Sequence, residues 1–315
     1  MSHSCGLPGV GTAEDQNFQL DDFTSETPRW CAGCGDYGIL TATQKLLANA
    51  NLAPEKVVFV SGIGCSSRFP HYMKTYGFHG LHGRALPVAT GIKLTRPDLD
   101  VFVVMGDGDC CSIGAGHWIH AIRYNMNMTV LLLDNNIYGL TKKQTSPTTP
   151  QGYKTNTQPR GSFLPPLNPL ITTLGVANAS FVAQTADWMP SHLAETLRAA
   201  HAHKGFSFVR ILQRCPVFTH DVFQNAVMNP ELTEMLQHPN GITDEALADV
   251  YPTKTHDPSD IHLARRLADD SEKIRVGLFF RDESFPRYEE IRDVPKQSVE
   301  DKYALPNQEM DRYAI

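Results

Sequence analysis

Val101-Phe102-Val103-Val104-Met105-Gly106-Asp107-Gly108-Asp109 is the stretch that decides how this chain is read. Five apolar residues run without a polar break into a Gly-Asp-Gly-Asp turn. A run of that length closed by glycine suits a strand buried on both faces, as in a parallel sheet. The same pattern recurs on either side. Residues 57–61 are closed by Gly62, residues 129–133 by Asp134, Asn135 and Asn136, and residues 206–212 form a fourth run. Helical stretches lie between the runs, at residues 36–49, 86–94, 115–124 and 190–203. In the first, Ile39, Leu40, Thr43, Leu46 and Leu47 share one face, and Asp36 stands where a cap would. Alternating strand and helix predicts an α/β fold with a doubly wound, mostly parallel sheet. Ligands in such sheets sit at the carboxyl ends of the strands, where the Gly and Asn punctuation falls.

The wider composition bounds the rest. At about 150 residues per domain, 315 residues make two domains or one large domain with an extension. Residues 1–27 read as a flexible arm, 28–215 as the main domain, and 216–315 as a C-terminal extension packing on the core or on a partner subunit. The extension carries a short helix at 261–268 and a strand at 274–280. Residues 145–170 hold Pro147, Pro150, Pro159, Pro165, Pro166 and Pro169, which excludes helix or central strand there. Loops of that length are usually functional. With 28 basic and 34 acidic residues the net charge is −6, which argues against nucleic-acid binding. The apolar runs are too short to span a bilayer, and MSHSCGLPGVG has no secretory pattern. Seven cysteines, an odd number, do not suggest a disulfide scaffold. A cytoplasmic, reduced setting is expected, without membrane or nucleic acid.

Asp107 and Asn135 end neighbouring strands in this reading. A carboxylate and an amide oxygen at one edge suit Mg²⁺, which takes few protein ligands alongside substrate phosphates. Gly106 and Gly108 would let backbone approach a phosphate, and a helix starting near Ser112 would aim free N–H groups at it. Gly-Asp-Gly alone is often only a turn. The preceding buried strand and the second oxygen cluster one α/β unit later point instead to the diphosphate and magnesium site of thiamine enzymes. A dinucleotide is not expected, because residues 62–67 and 114–119 lack the third glycine of G-x-G-x-x-G.

Cys31-Ala32-Gly33-Cys34 is a CxxC turn, which zinc, thiol redox and iron–sulfur chemistry all use. There is no second CxxC, so a zinc ribbon is disfavoured. Cys65 follows one strand and Cys215 another, so four thiolates could complete a [4Fe–4S] cluster. Packing is the alternative for Cys65 and the preferred reading for Cys110 and Cys111, and Cys5 reads as a free thiol in the arm. His79 and His82 form an H-x-x-H in which His79 stays unassigned.

Taken in order, Trp30-Cys-Ala-Gly-Cys-Gly35, Gly62-Ile-Gly-Cys-Ser-Ser67, His82-Gly-Arg-Ala85, Gly106-Asp-Gly-Asp109 and Asn135-Asn-Ile-Tyr-Gly-Leu-Thr141 resemble the beta subunits of 2-oxoacid:ferredoxin oxidoreductases, of the 2-oxoglutarate type. The resemblance covers about residues 28–220. It implies that Cys31, Cys34, Cys65 and Cys215 bind one [4Fe–4S] cluster, and that Asp107, Asn135 and the carbonyl of Ile137 hold Mg²⁺. It implies that Ile63, Gly64, Cys65, Ser66, His82, Gly108, Asp109, Gly139 and Leu140 line thiamine diphosphate, and that Arg68 and Lys142 face the 2-oxoacid. Cys110-Cys111 is no element of that pattern, and the last hundred residues carry no motif that maps to it.

The implied reaction is oxidative decarboxylation of 2-oxoglutarate with coenzyme A to succinyl-CoA and CO₂, with electrons passing through the cluster to ferredoxin; the reverse carboxylation is the other direction. The cofactor carries the hard chemistry. A second thiamine domain is expected on an alpha subunit, since none is visible here. Pyruvate or a broader 2-oxoacid is the alternative substrate. The rival readings are a non-redox thiamine decarboxylase half and a cluster- or zinc-bearing scaffold subunit.

Overall fold

The structure is a computed structural model that describes residues 17–292, 304, 306 and 308–313. Among the described residues are nine strands: β1 (Val57–Ser61), β2 (Tyr76–His79), β3 (Asp100–Gly106), β4 (Met128–Asp134), β5 (Phe181–Ala186), β6 (Phe206–Leu212), β7 (Thr233–Gln237), β8 (Thr253–Thr255) and β9 (Ile274–Arg281). They pair in the order β2-β1-β3-β4-β6-β5-β9-β7-β8. From β2 to β5 every pairing is parallel. β9 then meets β5 antiparallel, and β7 and β8 run parallel to β9. The C-terminal segment therefore continues the central sheet instead of standing beside it.

Helices cover both faces. α1 (Asp36–Asn49), the short α2 (Phe69–Tyr72), α3 (Ala85–Thr95), α4 (Ala115–Tyr124), α5 (Pro169–Leu174) and α6 (Pro190–Ala202) belong to the first block. α7 (Gln224–Met228), α8 (Glu245–Ala248), α9 (Ile261–Asp269) and α10 (Tyr288–Ile291) follow. Ile39, Leu47, Leu193 and Leu197 from α1 and α6 pack with Phe59, Phe102 and Leu131 on one face. Leu86, Trp118, Ile122, Leu174 and Leu267 pack with Val103, Val130 and Phe208 on the other. A sheet buried on both sides is what continuous apolar strands require. Among the described residues no helix is long and apolar enough to cross a membrane.

The predicted strands at 57–61 and 206–212 match the observed bounds, and those at 101–105 and 129–133 are each one residue longer at both ends. Four strands escaped the reading. β2 is exposed along its whole length and exists by pairing with β1. β5 is fully buried yet reads Phe-Val-Ala-Gln-Thr-Ala. Its Gln184 is accommodated because its amide donates to Arg275 O at 2.7 Å and accepts from Arg210 Nη1 at 3.1 Å. The short β7 and β8 lean on β9.

One local expectation is corrected. Asp36 does not cap α1: Gly35 occupies the cap position, no side chain caps the helix, and the Asp36 carboxylate is buried at the first helical residue. Residues 17–27, expected as part of a loose arm, are mostly exposed and anchored at Phe23. Leu20–Phe23 form a 3₁₀ turn, Phe23 is fully buried, and Lys74 N donates to Phe23 O at 2.9 Å. The remainder of that arm, with Cys5, lies outside the described residues.

Candidate active site

The parallel block brings the carboxyl ends of β1, β3 and β4 to one edge. β3 and β4 pair with Gly106 opposite Leu133, so the turns carrying Asp107 and Asn135 emerge side by side. Between them and the loops after β1 and around His82 opens a cavity of about 220 Å³. All twelve residues assigned to thiamine diphosphate and Mg²⁺, from Ile63 to Leu140, line it. Gly106, expected beside the phosphate, lines it too, as do Leu133, Tyr138 and Thr141, which were not anticipated.

The turn after β3 is shaped by its glycines. A side-chain carbon on Gly108 would collide with the ring of Tyr138, whose hydroxyl donates to Gly108 O at 3.0 Å. Only glycine allows that approach. Asp109–Ile113 then winds as a single π-type turn into α4, a local form frequent at functional sites. Cys110 and Cys111 sit in this turn and are buried in the core, as their packing role required. The Asp109 carboxylate is turned inward. It accepts from Gly83 N at 2.6 Å and Ile63 N at 3.3 Å, and approaches His82 Nδ1 at 2.7 Å. It thus ties three loops together at the cavity wall, while burial holds its carboxyl above the usual range.

Asp107 is only 2% exposed. Burial, and then the neighbouring Asp134 carboxylate, push its carboxyl up to about 7, although Ser146 and Thr148 donate to it. Among the described residues no lysine or arginine pairs with Asp107, whereas Asp134 is held by Arg210 at 2.6 Å. A buried carboxylate without a counter-charge, beside the Asn135 amide and Ile137 on one cavity wall, suits a hard divalent cation.

The cysteines meet next to this cavity. In the CxxC turn Gly33 has φ +79°, and Cys34 N donates to Cys31 O at 3.1 Å. Gly35 N donates to Arg214 O at 3.1 Å, and Gln213 Nε2 donates to Cys34 Sγ at 3.3 Å, so the turn rests on the segment that carries Cys215. Trp30 Nε1 donates to Cys65 O at 2.8 Å, which brings in the loop after β1. A side chain at Gly35 would collide with Asp187, so this turn also needs glycine. Burial pushes the Cys65 thiol up to about 12, with Asp36 and Cys215 adding to it. Burial, then Asp36, drives the Cys34 thiol far above its usual range, with Cys65 and Cys215 contributing. Four thiols thus share one neighbourhood, though among the described residues no three Cys, His, Asp or Glu side chains converge into a ready metal cage.

The two basic residues are placed differently. Arg68 lines an adjoining cavity with Arg29, His71 and His79, and that cavity shares Gly64 and Leu140 with the first. Its guanidinium donates to Arg29 O at 3.0 Å and lies 5.7 Å from the Tyr72 ring centre. Lys142 is exposed and lines neither cavity. It and Lys143 both adopt left-handed φ, +76° and +72°, which non-glycine residues rarely do. His79, unassigned in the sequence, bonds through Nδ1 to Ser67 O at 2.7 Å, and so braces the loop that carries Arg68.

Comparison with known proteins shows the family. Residues 62–211 match the family described as thiamine pyrophosphate enzyme, C-terminal TPP binding domain. The chain is 52% identical over 224 residues to 2-oxoglutarate oxidoreductase subunit KorB of Mycobacterium tuberculosis, covering 71% of this chain and 59% of that one. It is 38% identical over 274 residues to the 2-oxoacid:ferredoxin oxidoreductase subunit beta of a Sulfolobus species, covering 85% and 86%. Its fold is similar to a solved 2-oxoglutarate:ferredoxin oxidoreductase from Magnetococcus marinus with 2-oxoglutarate, coenzyme A and succinyl-CoA bound. That match has a TM-score of 0.77 and 36% identity, over 92% of this chain and 96% of the other. A thiamine-type cavity on a shared sheet, with sequence likeness that runs through both blocks, makes this chain a member of the beta subunits of the 2-oxoacid:ferredoxin oxidoreductases.

Proposed function

We propose that this chain is the beta half of a 2-oxoglutarate:ferredoxin oxidoreductase of the cytoplasm, joined to an alpha subunit and taking 2-oxoglutarate, coenzyme A and ferredoxin. The observation that carries the proposal is that Cys65 lines the same cavity as Asp107, Asn135 and Ile137 and lies close to Cys31 and Cys215. Thiamine diphosphate, when bound, would supply the electron sink for decarboxylation, and a [4Fe–4S] cluster would supply the one-electron path. Asp107, the Asn135 amide and the Ile137 carbonyl would hold Mg²⁺, with Gly108 leaving room for the diphosphate. Cys31, Cys34, Cys65 and Cys215 would hold the cluster. Burial raises the thiols of Cys34 and Cys65, and a positive iron core would stabilise them as thiolates.

The cavity favours a half-site. Its volume of about 220 Å³ is below the roughly 300–1,000 Å³ of complete ligand pockets. Its lining exposes Ile63 and Leu140, and Leu81, next to the lining residue His82, is 74% exposed. An apolar rim around a polar floor is the surface a partner subunit would cover. Arg68 and Lys142 would pair with substrate carboxylates, and the rare φ of Lys142 fits a residue held in place for function.

The test is iron, acid-labile sulfide and EPR on anaerobically purified complex, followed by 2-oxoacid kinetics. About four irons and four sulfides per beta chain, the content of one such cluster, with a dithionite-reducible signal support the reading. Zinc, or no metal after anaerobic handling, overturns the cluster assignment. Arg68→Ala and Lys142→Ala should each raise KM for 2-oxoglutarate by about tenfold, as loss of about 1.4 kcal/mol requires, with a smaller rise for pyruvate. Unchanged KM in both variants removes their role.

A further inference from the structure

The proline-rich loop after the cavity strands contributes chemistry that no motif announced. Its Thr148 Oγ1 stands 2.8 Å from Asp107 Oδ2 and 2.8 Å from Asp134 Oδ1. Ser146 Oγ donates to the same Asp107 Oδ2, and Thr149 Oγ1 donates to Asn136 O at 2.6 Å. Thr148, Asp107 and Asp134 are all at most 3% exposed. Asp134 is anchored from behind: Arg210 Nε donates to its Oδ2 at 2.8 Å, and the Asn136 amide donates to its Oδ1 at 2.9 Å.

The two hydroxyl donors to Asp107 fall on one oxygen, Oδ2. That oxygen is clamped, and Oδ1 is left for whatever occupies the cavity that Asp107 lines. One threonine hydroxyl has a single proton and donates to one carboxylate at a time. Asp134 already has Arg210 and Asn136, so the proton of Thr148 is best used on Asp107, which among the described residues has no charged donor. A carboxylate fixed at one oxygen by outer partners is how a metal ligand is oriented.

We propose that Thr148 is the positioning residue for Asp107, holding it for a divalent cation against the Arg210–Asp134 pair as a strut. This rests on the reading of Asp107 as a cation ligand. The experiment is Mn²⁺ binding, followed by EPR, to the alpha–beta complex with thiamine diphosphate present. Thr148→Val keeps the shape and removes the hydroxyl; it should weaken Mn²⁺ binding by roughly 10–100-fold. Thr148→Ser restores the hydroxyl and should bind within about threefold of the unchanged protein, since the outer-shell bond is kept. Should Thr148→Val not fold, Thr148→Ala provides the same measurement, with the same weakening expected. Asp107→Ala separates the two ideas. If it binds Mn²⁺ as well as the unchanged protein, the ligand reading is wrong. If it loses Mn²⁺ while the hydroxyl-free Thr148 variants bind normally, only the positioning role is overturned.

Discussion

The Asp107 corner and the cysteine corner adjoin the same cavity but are built in opposite ways. At Asp107 the polar groups are already bonded: Ser146 and Thr148 hold one oxygen, and Arg210 holds the carboxylate behind. At the cysteines three separate segments, residues 31–34, 65 and 213–215, are held by backbone and indole bonds, while the thiols themselves form no closed cage. The difference teaches that an oxygen site for a hard cation can be preorganised by hydroxyls and arginine. In the proposed reading a thiol site would leave its last step of order to the metal, because metal affinity and ligand deprotonation are coupled.

The largest effect should come from separating the corners. Cys34→Ser is expected to abolish the cluster signal and lower iron from about four per chain to near zero, while Mn²⁺ binding with thiamine diphosphate persists. Asp107→Ala should do the reverse, keeping the iron and losing Mn²⁺. Joint loss in either variant would show that the corners are one cooperative unit. Next is Gly108→Ala, whose new methyl meets the Tyr138 ring. Overpacking of that kind costs about 1–3 kcal/mol, measured as a fall in the urea midpoint at unchanged slope.

The smallest effect is in the pH dependence of stability. His192 and His203 are buried, and their folded-state pKa falls to about 4. The fold accepts the neutral ring, so stability is intact above the ordinary value of about 6.5 and is lost as pH falls toward 4, by up to about 1.4 kcal/mol per pH unit for each ring. Asp107, raised to about 7, acts in the opposite sense in the cofactor-free chain: its protonated form suits the fold, and that contribution fades as pH rises from about 4 to 7. Binding of Mg²⁺ with thiamine diphosphate removes the Asp107 share. Urea unfolding at pH 7 and 5.5 should therefore show a steeper acid loss in the loaded complex than in the cofactor-free one. Equal losses would mean that Asp107 does not carry the unbalanced charge that sets its corner apart.

Legibility in the sequence followed burial and locality. The four apolar runs were readable because a strand buried on both faces has no polar alternation to disguise it. β5 was not, because its Gln184 looks like an exposed residue until Arg210 and Arg275 are seen to satisfy it. The cavity-lining glycines and Asp107 belong to short contiguous motifs and were found. Tyr138 lies inside such a motif and was passed over, since only the fold shows its ring filling the space over Gly108. Ser146 and Thr148 lie about forty residues from the carboxylate they hold, in a loop whose prolines spoke only against helix and strand.

By itself, the sequence determined the alternating fold, the order of the site motifs and the types of atom offered to a cofactor. These are properties of contiguous residues, set by hydrophobic runs and by the conformational freedom of glycine. Only the tertiary structure decided that the C-terminal segment completes the sheet, that Cys215 returns to the CxxC turn, and that Thr148 stands between Asp107 and Asp134. Those depend on pairings between residues far apart in the chain. Their stability comes from mutual burial and hydrogen bonding, which no local pattern records.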